Sequence, residues 1–207
     1  QAFDRLVEAH GADARVRRLA TRDQFVALLY GQLAGAQSLR EIEAGLASHA
    51  HRLYHLGARA VSRSTLSDAN ASRPSEVFSA LFAHLVAQAG RGLRRTIGEA
   101  VHLIDSTGLR LSEFSADWAR FSDGVCGAKL YIVFDPDAEQ PIDAAITPAR
   151  LNDITAAQAL PVAAGATYVF DLGYYDFAWW AKLDDAGCRI VTRFKSNTRL
   201  TVVAENR

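Results

Sequence analysis

The sequence predicts an α/β fold in which a helical N-terminal region precedes a mixed β-sheet with flanking helices. Through the first hundred residues, apolar side chains recur at helical spacing, as Leu39, Ile42 and Leu46 do. After residue 100 the pattern changes to short apolar runs typical of strands. Three such runs come first, and the later ones alternate with helical segments. This order indicates a mixed sheet with helices packed on its faces.

Two further apolar series predict helices in the N-terminal half. One covers residues 25–36, and the other covers 77–86 after Pro74, which suits a first helical turn. Gly90 is expected to end the second helix. The polar segment 62–70 between them could form a short helix that presents Arg63, Ser64, Thr65 and Asn70. We place the domain boundary between Gly90 and Gly98, which gives a helical region at 1–98 and a sheet domain at 99–207.

The predicted sheet domain carries an aspartate on each of two strands. Asp105 lies within the strand-like run 101–111, and Asp171 directly follows the run 167–170. The remaining elements are predicted as strands at 129–134 and 142–146, a helix at 154–162, a helix at 176–186 ended by Gly187, and a strand at 188–194. The first three strands can form a meander, and the strands that carry Asp105 and Asp171 are expected to be neighbours.

The composition is that of an ordinary soluble protein, with 49% hydrophobic and 22% charged residues. No apolar run approaches the roughly 20 residues that a membrane span needs. Cys126 and Cys188 have no CxxC partner, so we expect a reducing, cytoplasmic location. The chain begins with Gln1, contains no methionine and ends at Arg207 just after an apolar run. We therefore expect a fragment.

The net charge of zero conceals an asymmetry between the two halves. Residues 1–100 contain 13 arginines and 9 acidic residues, whereas residues 101–207 contain 10 basic and 14 acidic residues. A mildly basic first half and an acidic second half fit a module that contacts nucleic acid joined to one that binds metal. Solvated surfaces are the simpler explanation for imbalances of this size.

Asp105 and Asp171 are candidate metal ligands because an ionised aspartate in or after a buried strand is costly without a partner. Two carboxylates brought together repel each other unless a divalent cation lies between them. Such a pair would suit Mg²⁺ or Mn²⁺, which activates a water or hydroxyl in phosphodiester chemistry. Taken singly, either residue could instead cap a turn or a helix, since Asp-x-Gly is a common turn.

Several segments together resemble the bacterial insertion-sequence DDE transposases of the group named after insertion sequence four. The most specific is FDLGYYDFAWW at residues 170–180, and the sheet domain adds HLIDST at 102–107, RLND at 150–153 and IVTRFKSN at 190–197. The helical region contributes DQF at 23–25, SLREIE at 38–43 and SRSTL at 62–66. The resemblance covers nearly the whole chain, and it implies an RNase-H-like catalytic domain.

This resemblance makes Asp105 and Asp171 the first two catalytic, metal-binding members of a DDE triad. The third member in the family is a Glu on a later helix, in a Tyr-Arg-Glu-Lys type motif that this sequence lacks. Glu205 lies 34 residues after Asp171, but the run before it is strand-like. We therefore expect the catalytic domain to be incomplete at its C-terminus and the chain alone to be inactive.

The resulting hypothesis is a transposase that cuts its element's DNA ends and joins them to target DNA, as a possible homodimer in a synaptic complex at the nucleoid. A metal-dependent nuclease of the same fold and a non-catalytic, DNA-binding remnant of a decayed transposase are the alternatives. Arg63 on the possible recognition helix and Arg193, Lys195 and Arg199 after the last strand are candidate DNA contacts.

Other conspicuous residues have simpler explanations. His49, His51 and His55 are spaced as a cluster, but no cysteine or carboxylate lies close by in sequence, so a surface position is favoured over zinc binding. Tyr174 and Tyr175 could stack on a base, although packing is at least as good an explanation. The aromatic residues at 177–180 are expected to form the buried face of a helix.

Overall fold

The computed structural model describes residues 2–14, 16–93, 100–199 and 201, and these divide into two compact units at residues 1–85 and 86–207. The predicted boundary at residues 98–99 lies outside the described residues. No helix in the described ranges has the length and apolar character that crossing a membrane requires.

The first unit is helical, as predicted. Its α-helices are α1 (Ala2–Ala9), α2 (Thr21–Ala34), α3 (Leu39–Ser48), α4 (Arg63–Ser72) and the start of α5 (Glu76–Leu93), with a 3-10 helix at Ala50–Leu56. Helix α4 is the short helix expected in the polar segment, and the Ser62 side chain caps it by accepting a hydrogen bond from the Thr65 amide. Gly90 does not end α5, which continues to Leu93, because a glycine within a helix costs only about 1 kcal/mol, which the rest of a long helix can offset.

Buried apolar side chains from α2, α3, α4 and the segments beside them form the core of this unit. They are Leu19, Ala27, Ile42, Leu46, Leu53, Val61, Leu66 and Ala69. A buried polar group lies beside them: Gln24 is 2% exposed, and its amide nitrogen donates to Asn70 Oδ1 at 2.8 Å. The Arg73 guanidinium donates to Gln24 Oε1 at 3.1 Å and to the carbonyl of Leu19. Gln24 thereby ties α2 to α4 and the chain that follows it.

The second unit contains a six-stranded mixed sheet in its described part. The strands are β1 (Val101–Leu111), β2 (Arg120–Ser122), β3 (Val125–Asp135), β4 (Gln140–Pro148), β5 (Thr167–Phe170) and β6 (Arg189–Val191). Strands β1, β3 and β4 form an antiparallel meander, while β5 runs parallel to β1 and β6 parallel to β5. The helices are α6 (Ala116–Ala119), α7 (Asp153–Ala159) and α8 (Phe177–Asp185). The predicted fold class, N-terminal helices followed by a mixed sheet with flanking helices, is confirmed.

One face of this sheet is covered by α7 and α8. Its core includes Ile104, Tyr131, Val133, Tyr168, Phe170, Trp179, Trp180 and Leu183. Because side chains alternate along a strand, the residues between these positions lie on the opposite face. That face is less covered, since Ile146 is 64% exposed and Val191 is 53% exposed.

Two sequence predictions for this unit differ from the structure. The last strand is confined to Arg189–Val191, because it pairs with β5 only from Thr167 to Val169. Phe177, expected on a buried helix face with the two tryptophans, is 61% exposed, whereas Trp179 and Trp180 are buried. Asp176 caps α8 by accepting a hydrogen bond from the Trp179 amide, which places Phe177 in the first turn and outside the core.

Candidate active site

Asp105 and Asp171 lie at matching positions on neighbouring parallel strands. Ile104 of β1 is in register with Phe170 of β5, and each aspartate is the next residue along its chain. Both aspartates are exposed. The energetic cost of burying an ionised carboxylate, which their strand positions suggested, therefore does not apply. Ile104 and Phe170 are the buried residues, and because side chains alternate along a strand, the aspartates that follow them point away from the core of the second unit.

Each of the two carboxylates is held by one backbone amide. The Ser106 amide donates to Asp105 Oδ1 at 2.8 Å, and the Gly173 amide donates to Asp171 Oδ1 at 2.8 Å. Within the described part of the chain, no donor contacts the Oδ2 atom of either residue. Two exposed carboxylates, each with an oxygen left open, are suitable hard ligands for a divalent cation.

A third carboxylate, Asp153 at the start of α7, lies under the same end of the sheet. Its Oδ1 accepts hydrogen bonds from Lys129 Nζ at 2.8 Å, from Tyr131 Oη at 2.7 Å and from Ser106 Oγ at 3.4 Å. Burial raises the pKa of Asp153, but the hydrogen bonds from Lys129 and Tyr131 and the lysine charge outweigh it and hold the pKa below its usual range. Asp153 is therefore an ionised carboxylate with a fixed orientation.

Tyr131 is the buried residue among the three that donate hydrogen bonds to Asp153. It is 2% exposed, and burial together with its hydrogen bond to Asp153 raises its pKa to about 12. Its phenol consequently stays protonated and donates to the carboxylate at neutral pH. Ser106 and Tyr131 are direct partners in the β1–β3 ladder, which brings their side chains to the same face of the sheet.

Gly173 lies between two of the carboxylates. A Cβ atom built on it would be 3.0 Å from Asp153 Oδ2 and 3.0 Å from Asp171 Oδ1. These two oxygens are therefore no more than about 6 Å apart, because each lies 3.0 Å from the same point. Any larger residue at this position would press on both carboxylates, so glycine suits the close packing here.

The Tyr174 hydroxyl is a buried polar atom without a well-formed hydrogen bond. Tyr174 is 1% exposed, and across the residues that the structure describes its Oη makes no hydrogen bond of ordinary geometry. Burial raises the pKa of Tyr174, while the nearby Ser106 side chain acts to lower it, and Asp153, Tyr131 and Asp105 are its other polar neighbours. A buried hydroxyl of this kind usually has a water or another ligand as its partner.

These observations fit the divalent metal ion that the sequence predicts. Asp105 and Asp171 each offer an open carboxylate oxygen as a ligand. The protein itself does not supply a complete metal cage: over the described ranges, no group of three or more His, Cys, Asp or Glu side chains is arranged to hold an ion. Mg²⁺ sites commonly use one or two carboxylates and complete the coordination with water and substrate phosphates.

Among the described residues of the second unit, Arg193, Lys195 and Arg199 make no hydrogen bond or ion pair with this cluster. Arg63 lies exposed at the first position of α4. Arg193, Lys195 and Arg199 are exposed in the segment after β6, where Lys195 Nζ lies 4.7 Å from the centre of the Tyr175 ring. His49, His51 and His55 are all exposed, and Glu205 lies outside the described residues.

Sequence reasoning gave no role to Ser106, Lys129, Tyr131 or Asp153. Lys129 and Tyr131 are two residues apart and so share one face of an otherwise apolar strand. This pattern does suggest that the lysine has a partner on that face. The identity of that partner depends on the position of α7 against the sheet, which the pattern of β3 alone does not specify.

The fold and the paired aspartates define the class of this protein once they are compared with known families. Residues 97–206, just over half of the chain, match the family described as "Transposase DDE domain". The chain therefore belongs to the DDE transposases, and the resemblance found in the sequence is confirmed. Transposases are DNA-binding enzymes, and their DDE domains use divalent metal ions. Residues 1–59 match a "Domain of unknown function (DUF4372)".

A curated relative supports the same assignment. The chain is 39% identical over 142 residues to "Putative transposase y4zB" of Sinorhizobium fredii. The similarity covers 69% of this chain and 40% of the relative. The chain thus spans well under half the length of that protein.

Proposed function

We propose that this protein acts as the transposase of a bacterial insertion sequence, cutting phosphodiesters at the element's ends and joining the freed 3′-hydroxyls to target DNA. The observation that supports this most directly is the pair Asp105 and Asp171, which are exposed and directly follow the paired residues Ile104 and Phe170 of two adjacent parallel strands. Membership of the DDE transposases gives the pair its chemical context.

Asp105 and Asp171 would hold the metal, Mg²⁺ or Mn²⁺. When bound, such an ion activates a water or hydroxyl and stabilises the leaving oxygen of the phosphodiester. The protein's own contribution is positional: the Ser106 and Gly173 amides orient the two carboxylates and leave an oxygen of each open. This chemistry requires no covalent enzyme intermediate and hence no nucleophilic serine or cysteine.

The helical unit would bind the element ends, with α4 as the recognition helix and Arg63 at its exposed start. Arg193, Lys195 and Arg199 would contact phosphates near the cleavage site, since they follow the strand next to β5. A homodimer in a synaptic complex at the nucleoid would bring the two element ends together. We also propose the sequence-based division into a DNA-binding region at 1–98 and a catalytic domain at 99–207.

The decisive experiment uses the product of the complete gene with DNA that carries an element end. We expect nicking and strand transfer with Mg²⁺, and loss of both in Asp105→Asn and Asp171→Asn, while Asp184→Asn, an exposed aspartate on α8, keeps them. Nicking without joining would indicate a nuclease of the same fold. DNA binding without either reaction would indicate a non-catalytic protein.

The 207-residue chain tests the role of the third carboxylate. It contains no Tyr-Arg-Glu-Lys motif, so we expect it to bind metal weakly and not to catalyse strand transfer. Strand transfer by this chain, abolished by Asp171→Asn, would contradict the requirement for a further Glu.

A further inference from the structure

The two backbone segments that hold Asp105 and Asp171 meet at one side chain on the other face of the sheet, that of Asp153. We propose that Asp153 is a positioning residue of the metal site, which fixes these two segments and so sets the separation of the two carboxylates. This inference rests on the proposed metal-dependent function. The three carboxylates have separate roles, two as ligands and one as the anchor beneath them.

Ser106 connects Asp153 to the first ligand. Its amide donates to Asp105 Oδ1 at 2.8 Å, and its hydroxyl donates to Asp153 Oδ1 at 3.4 Å. Because successive residues of a strand face opposite sides, one residue can reach the ligand on one side and the anchor on the other. Movement of Asp153 would therefore change the position of the amide that orients Asp105.

Gly173 connects Asp153 to the second ligand. Its amide donates to Asp171 Oδ1 at 2.8 Å, and Asp153 Oδ2 lies against its backbone, 3.0 Å from the position of a Cβ. The Asp153 side chain thus supports the turn that follows β5. A shift of Asp153 would leave this turn without support and allow the Asp171 carboxylate to move.

The hydrogen bonds of Asp153 suit an anchor better than a metal ligand. Its Oδ1 accepts three hydrogen bonds, from Lys129, Tyr131 and Ser106, and the lysine balances its charge. Lys129 Nζ also donates to the carbonyl of Leu151 at 3.1 Å, which fixes the loop that leads into α7. A carboxylate engaged in this way is held in one orientation, as groups that support metal ligands are.

Tyr174 adds a polar group to the same cluster. It directly follows Gly173 and is 1% exposed, and its hydroxyl makes no hydrogen bond of ordinary geometry among the described residues, with Ser106, Asp153, Tyr131 and Asp105 as its neighbours. A buried hydroxyl in this state commonly has a water or another ligand as its partner, which is consistent with a cluster that supports a metal site.

The test measures Mn²⁺ binding to the 207-residue chain by the electron paramagnetic resonance of the free ion. Asp153→Asn preserves the side-chain shape, and Ser106→Ala removes the link to Asp105 without changing any charge. We expect Mn²⁺ affinity to fall by about 10- to 100-fold in Asp153→Asn and in the same direction in Ser106→Ala. Asp184→Asn, which makes the same chemical change at an exposed position of α8, should bind as the wild type does.

Thermal melting of each variant separates positioning from folding, because affinities are compared at a temperature where all the proteins are folded. Wild-type affinity in both Asp153→Asn and Ser106→Ala overturns the proposal, whatever their melting temperatures. If Asp153→Asn does not fold, Ser106→Ala decides. If Asp171→Asn loses Mn²⁺ binding while Asp153→Asn and Ser106→Ala keep it, the positioning role is refuted but the metal site is not. Equal binding by the wild type and Asp171→Asn refutes the proposed metal site and this inference with it.

Discussion

Replacement of Gly173 by alanine tests the geometry of the site with a single methyl group. The new Cβ would meet Asp153 Oδ2 and Asp171 Oδ1, each at 3.0 Å, which is closer than an ordinary carbon–oxygen contact. Existing hydrogen bonds oppose the movement of both carboxylates. Asp153 is held through its other oxygen by Lys129 and Tyr131, and Asp171 Oδ1 accepts the Gly173 amide itself at 2.8 Å. Both carboxylates must shift by a few tenths of an ångström.

Gly108→Ala is a matched control on β1, because a Cβ there would meet no atom within 4 Å. Both substitutions lower the conformational entropy of the unfolded chain, which stabilises the folded state by roughly 0.4–1 kcal/mol in each case. Gly173→Ala carries in addition the cost of overpacking, typically about 1–3 kcal/mol. The difference in unfolding free energy between the two variants isolates that cost. We expect Gly173→Ala to be the less stable by about 1–3 kcal/mol.

Urea unfolding followed by tryptophan fluorescence measures this difference in unfolding free energy, and it reports on the second unit, which contains Gly173 and Gly108. Trp118, Trp179 and Trp180 are the only tryptophans in the sequence, and all belong to the second unit. A displaced Asp171 carboxylate should also weaken Mn²⁺ binding in Gly173→Ala but not in Gly108→Ala. Equal stability and equal Mn²⁺ affinity in the two variants would refute the close approach of Asp153 and Asp171 around Gly173.

Three further predictions follow from the contacts described above. Burial lowers the pKa of His102, although Asp135 acts to raise it. The folded state therefore binds fewer protons than the unfolded state, so the free energy of unfolding should fall as the pH decreases below about 7. Substitution of His102 by Phe should flatten this decline in urea unfolding followed by fluorescence. Gln24→Ala breaks a buried hydrogen-bonded group and should destabilise the helical unit by about 1–3 kcal/mol, as seen by circular dichroism, whereas the exposed Gln32→Ala should not. Arg63→Ala should weaken DNA binding, and the slope of the logarithm of the binding constant against the logarithm of salt concentration should become shallower by about one. Arg22→Ala is the control, because the Arg22 guanidinium is paired with Asp4.

The strands of the site were predictable from the sequence because each is a distinct apolar run. The predicted bounds 101–111 and 167–170 match β1 and β5, and these two strands are neighbours as expected. The adjacency followed from chain order, since a strand reached through a helical crossover can pair in parallel with an earlier one. The placement of Asp105 and Asp171 on neighbouring strands, where β5 ends beside β1, was therefore predictable without coordinates.

The errors arose where a local pattern competed with pairing or packing. Gly90 looked like a helix end, yet helical neighbours on both sides continue α5 past it. Residues 188–194 looked like a strand, but the partner strand offers pairing only as far as Val169. Phe177 followed the apolar pattern of α8 but lies in its first turn, away from the core that holds the tryptophans.

The supporting network was inaccessible for a different reason. Asp153 contacts Lys129, Tyr131 and Ser106, residues 22 to 47 positions away in sequence, and those contacts depend on the register of β1 with β3 and on the placement of α7. The same alternation that made the strands recognisable divides this site into two layers. Asp105 lies on one side of β1, and Ser106 lies on the other side with Asp153. A sequence pattern can indicate the exposed carboxylates as candidate ligands, but the contacts behind the proposed role of the partly buried Asp153 are visible only once the pairing of the strands is known.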